Sequence, residues 1–66
     1  MLECKVYYLN PASPDGITTV LRTTILSKAY DRAKETAKKT GKFVAISVLD
    51  LDNCKLTRQF ISPDRV

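Results

Sequence analysis

The residue types that carry most protein chemistry are sparse in this chain. It has no histidine, so the side chain that titrates nearest neutral pH is missing from any acid–base scheme. The closest carboxylates, Asp50 and Asp52, would point to one side of an extended segment, but Asn53 follows at once and marks them as turn residues. Asp50-Leu51-Asp52-Asn53 matches only the opening of a calcium loop, without the later glycine and bidentate glutamate. Cys4 and Cys54 stand far apart, outside any CxxC pair. Two sulfurs are too few for a zinc site, and neither has a histidine to activate it as a nucleophile. Gly16 and Gly41 are the only glycines, which excludes a glycine-rich phosphate loop. The expectation is a non-enzymatic protein with no catalytic residue, no metal site and no cofactor.

Binding chemistry is better represented. Eleven Lys and Arg residues face seven Asp and Glu, a formal net charge of +4, which favours anionic partners and fast association with them. Two residue sets stand out. Tyr7, Leu9, Phe43 and Leu49 are apolar anchors for a protein-binding face, with Arg22 and Arg58 as rim contacts. The alternative is a DNA- or RNA-binding surface of Lys28, Arg32, Lys39 and Lys42, with Tyr7, Tyr8 and Phe43 as stacking platforms. Asp31 and Glu35 interrupt that second set. Lys38, Lys39 and Lys42 are also accounted for as complements to the negative end of a helix. The aromatics do not follow the pattern of RNA-recognition motifs.

The elements that must position these residues follow from periodicity. Leu2 to Leu9 alternates and carries Val6, Tyr7 and Tyr8, strong strand formers. Pro14-Asp15-Gly16 reads as a type I turn closed by a glycine with positive φ. Ile17 to Leu26 is a second strand; its core face is either Ile17, Thr19, Leu21 and Ile25 or the alternate Val20 and Leu26. A helix follows, with Ser27 as N-cap, Lys38 and Lys39 in the last turn, and Gly41 as a left-handed C-cap. Ala29, Ala33, Ala37, Tyr30 and Thr40 share its inner face. Phe43 to Leu51 is apolar on both sides, as a central strand would be: Val44, Ile46 and Val48 face one way, and Phe43, Ala45, Leu49 and Leu51 the other. Lys55 to Ile61 returns as a fourth strand, with Leu56 and Phe60 expected to point inward.

The order β-β-α-β-β constrains the topology. The first two strands form a hairpin, and the helix then crosses one face. A right-handed crossover that skips one strand places the third beside the first. The expected fold class is therefore α+β: one antiparallel four-stranded sheet, order 2-1-3-4, with one helix on one face. Residues 1–66 make a single domain, with 62–66 as a frayed tail. Two strand spacings, ~10 Å, separate the cysteines. A disulfide needs less than about 7 Å, so none is expected.

No segment approaches the ~20 apolar residues that a membrane helix needs. The N-terminus lacks the basic and apolar regions of a signal peptide, so a cytoplasmic location is expected. The layout of a hairpin, one helix and further strands in under seventy residues resembles many small phage- or plasmid-encoded proteins, some of which inhibit host enzymes such as RNA polymerase by docking on them. The resemblance covers size and layout and carries over no site residue. It implies a small cytoplasmic regulator or inhibitor that binds a macromolecule, protein rather than nucleic acid. Such a chain could also self-associate through the open sheet face or the edge of the second strand, with no membrane contact.

Overall fold

The computed structural model describes residues 1–65; Val66, the end of the expected frayed tail, lies outside the described residues. Strands β1 (Leu2–Leu9) and β2 (Ile17–Thr23) are followed by helix α1 (Leu26–Thr40), then β3 (Val44–Asp50) and β4 (Lys55–Ile61). They form one open antiparallel sheet in the order β2-β1-β3-β4, with α1 on one face. Residues 63–65 form a 3-10 turn that packs against α1, where a frayed end was expected. Among the described residues, no helix is long and apolar enough to cross a membrane.

The core lies between α1 and the two central strands. Cys4, Val6, Val44 and Ile46 point from the sheet, and Ala29, Ala33 and Ala37 from the helix; all are buried. Alanine projects a single methyl group, so the helix axis can come close to the sheet, and larger side chains from the strands fill the space. Thr36 is also buried on this face, and the Thr40 hydroxyl donates to its carbonyl oxygen. Tyr30 reaches over β4 and bonds Gln59. Gly41, at φ 69°, ends the helix in the left-handed conformation, with its N–H donating to the Ala37 carbonyl at 2.9 Å.

Three expectations are corrected. Ser27 is not the N-cap: the helix begins two residues earlier than such a cap implies, and Ile25, extended at φ −106°, stands in the cap position without a side-chain bond. The Thr23 hydroxyl instead accepts from the Ile25 N–H at 3.1 Å, which turns the chain early and shortens β2 to Thr23. Neither alternation proposed for β2 holds along its length. The register slips by one residue between Val6 and Tyr7, so Val6 faces Leu21 while Tyr7 faces Thr19. Val20 is the extra residue of a β-bulge, and both Val20 and Leu21 pack on the core. Leu56 and Phe60 point outward, not inward. Asp50 pairs with Lys55, and that register puts Leu56 opposite Leu49 and Phe60 opposite Ala45, on the face away from α1.

The β1–β2 connection is held by two stacked turns. Ser13 N–H donates to the Asn10 carbonyl and Gly16 N–H to the Ser13 carbonyl, both at 3.0 Å, and Gly16 has φ 78° as expected. The tighter β3–β4 turn places Cys54 at φ 51°, in the left-handed region that non-glycine residues avoid. Replacing Cys54 with glycine should relieve this, raising stability by roughly 1 kcal/mol and the melting temperature by about 4–8 °C in thermal unfolding. Conversely, Ala33→Leu should force the helix off the sheet at a cost of about 1–3 kcal/mol, read as a lower urea midpoint.

Candidate binding face

Strand pairing fixes which side chains share the face opposite α1. Tyr7 lies opposite Thr19 on one side and Ala45 on the other, and Ala45 lies opposite Phe60. One step along the strands, Arg22, Lys5, Ser47 and Arg58 form the next row. A further step gives Glu3, Leu49 and Leu56. Beyond the aromatic row, Leu9 pairs with Ile17, and Phe43 precedes β3 at the same margin. A cationic row thus runs across the strands, flanked by apolar side chains on both sides.

Exposure separates the parts of this face. Phe43 is 63% exposed, Phe60 64%, Leu56 57% and Leu9 72%, whereas Tyr7 and Leu49 are half-buried. Ala45, fully buried on the face that α1 does not cover, sits in the floor between Tyr7 and Phe60. Monomeric proteins seldom leave this much aromatic and aliphatic surface bare on one face. Glu3, Lys5, Arg22, Ser47, Leu49 and Leu56 border a half-open groove of ≈ 750 Å³ on it.

The electrostatics of the row are unusual for a protein surface. Among the described residues the only ion pair joins the N-terminal ammonium to Asp52 at the sheet's end. Lys5, Arg22 and Arg58 therefore form no ion pair there; Lys5 acts on Asp15 only through its longer-range field, and Glu3 is the only acid in the three rows. The Lys5 ammonium lies 5.3 Å from the centre of the Tyr7 ring, close enough for a cation–π contact. The ladder sets the three residues in line at the backbone, so an anion that spans the sheet can meet all three charges.

All six residues expected to bind a protein, Tyr7, Leu9, Arg22, Phe43, Leu49 and Arg58, fall on this face or at its margin. The two arginines lie within the central row and not at a rim. Sequence reasoning does not single out Lys5, and it places Leu56 and Phe60 inward, whereas all three lie on this face. The missed signal was the short turn after Asp50. Once Asp50 pairs with Lys55, every even-numbered residue of β4 must share a face with Leu49.

The alternative set gathers differently. Lys28, Arg32, Glu35 and Lys39 follow one flank of α1, and Arg32, Glu35 and Lys39 border a second groove with Tyr8, Thr18 and Val20 of the sheet. Lys42 lies 5.5 Å from the Tyr8 ring centre at its end. Glu35 sits between the two cations of this groove and offsets part of their field.

The remaining reactive groups have structural roles. Cys4 is buried in the core, which pushes its thiol above the ordinary range; Cys54 is exposed, and both are free thiols. Asp15 is held below the ordinary carboxylate range by the Ser13 hydroxyl and then the Ile17 N–H. Asp50 is lowered chiefly by the Asn53 side chain, which donates to it at 2.8 Å, with help from the Asn53 and Asp52 N–H groups. Among the described residues no group of three or more metal-ligating side chains comes together. Comparison with family models, with curated proteins and with solved structures gives no match.

A carboxylate that titrates lower when folded stabilises the fold above its unfolded pKa, and that contribution disappears as the pH falls through the folded value. Asp50→Ala should therefore cost stability at pH 7, and its deficit relative to the parent protein should shrink as the pH drops below about 4. Urea unfolding at pH 7, 4 and 2.5 measures this.

Proposed function

We propose that this chain is a small non-enzymatic binding protein that docks on a larger, negatively charged macromolecule through its open sheet face and regulates or inhibits it by occlusion. The observation that carries the reading is the row of Arg22, Lys5 and Arg58, which form no ion pair among the described residues and are flanked by exposed Phe43, Phe60, Leu9 and Leu56. Such a face combines charge that steers encounter with apolar area that holds the complex.

The same charge disfavours self-association by this face. A two-fold axis crossing the middle of the face would set one cationic row against another, and opposing like charges cost several kcal/mol. The β2 edge is a poor alternative, because its bulge breaks the regular ladder.

Capture from a lysate of the source cells, with and without nuclease, tests the reading. A partner held by the parent protein should be lost at least tenfold with Arg22→Glu/Arg58→Glu and retained with Arg32→Glu/Lys39→Glu. All variants are first checked for folding by circular dichroism. Retention of the partner by folded Arg22→Glu/Arg58→Glu would remove the open face from the mechanism.

A further inference from the structure

Resting on that reading, we infer that the macromolecule taken by the open face is a single-stranded nucleic acid, its phosphates on the Arg22–Lys5–Arg58 row and its bases stacked on Phe60, Tyr7 and Phe43.

Row order is the first argument. The cations occupy one line across the sheet; Tyr7 and Phe60 lie one same-face step away, about 6.6 Å along the strands, and Phe43 lies one step further. A single strand crossing the sheet needs this division: phosphates along one line, bases splayed to one side onto ring faces. An acidic protein surface would also satisfy the cations and could bury the rings, but it does not call for the two to lie in separate parallel rows.

The floor of the aromatic row is the second. Ala45 lies between Tyr7 and Phe60, so a side chain of minimal height separates two rings that flank it across the ladder. Ala45 is itself covered, so the small residue lets its neighbours close over it and leaves the exposed Phe60 ring as the platform on which a base can lie. Ser47 has the corresponding place in the cationic row and adds a neutral hydroxyl between Lys5 and Arg58.

A duplex fits poorly. The one helix of the fold is packed on the opposite face and cannot enter a groove from this side. Rings lying on a sheet can stack only on unpaired bases. The row covers four strands and so contacts a short stretch, about four nucleotides, the lower end for sheet-based single-strand binders.

The charge of the row sets the salt dependence. Three phosphate contacts predict a slope of log K against log salt near −2 for a single strand. Loss of one stacked base should weaken binding roughly 5- to 100-fold without changing that slope.

Fluorescence anisotropy with labelled dT12 and rU12, a 12-base-pair duplex and polyglutamate, at 50 and 200 mM salt, decides the matter. The parent protein should bind at least one single strand more tightly than the duplex, and should bind polyglutamate weakly. Phe60→Ala should weaken the single strand with an unchanged slope; Arg58→Glu should weaken it and flatten the slope; Arg32→Glu/Lys39→Glu should leave it as it is. Circular dichroism confirms that each variant is folded. No single-strand binding at 50 mM salt, duplex binding of equal strength, or an unaffected Phe60→Ala would overturn the inference. If the oligonucleotides fail while a nuclease-resistant partner is still lost with Arg22→Glu/Arg58→Glu, the face docks on protein: the docking reading stands and only the nucleic-acid assignment falls.

Discussion

The structure depends on the close approach of α1 to the two central strands. Ala29, Ala33 and Ala37 let the helix lie directly on Cys4, Val6, Val44 and Ile46, and nearly all fully buried side chains belong to this contact. The contact is narrow, as a 66-residue chain dictates: a domain this size buries only about 60% of its unfolded surface. One layer of helix on one layer of sheet exhausts the available core, and the molecule is only 15 Å thick in its thinnest dimension. The bare far face of the sheet follows directly from that shortage of apolar residues. Small size thus both limits chemistry and supplies a broad surface for recognition.

Much of the architecture was legible because each element carries its own boundary signals. β1 and β4 begin and end where alternation and turn residues place them, and Gly41 closes the helix where a left-handed residue is required. The strand order followed from one crossover rule applied to one helix. Less legible were features decided by competition or by pairing. The Thr23 hydroxyl, three residues before Leu26, takes the Ile25 N–H and the helix starts ahead of Ser27, a better capping residue by type. No single-strand pattern shows the bulge at Val20, because a bulge is a property of a pair of strands.

The binding face was half visible for the same reason. Tyr7, Phe43, Arg22 and Arg58 attract notice by type, but their arrangement is a matter of register between distant segments. Lys5 looks like one stray charge in β1 until Arg22 and Arg58 are aligned with it. Leu56 and Phe60 look like core until β4 proves to lie mostly beyond the helix, with all its residues but Ile61 exposed. The helix stripe, by contrast, was easy to find and less concentrated in charge, because Glu35 sits among its cations.

The irregularity at Val20 has a bearing on how the chain behaves at high concentration. A sheet with two straight margins can take on a neighbour at each and so build a ladder without end. Here one margin is kinked by its surplus residue, and the other bears Lys55 and Arg58. Both margins thus carry a device that works against open-ended strand addition, which matters for a sheet left bare on one face.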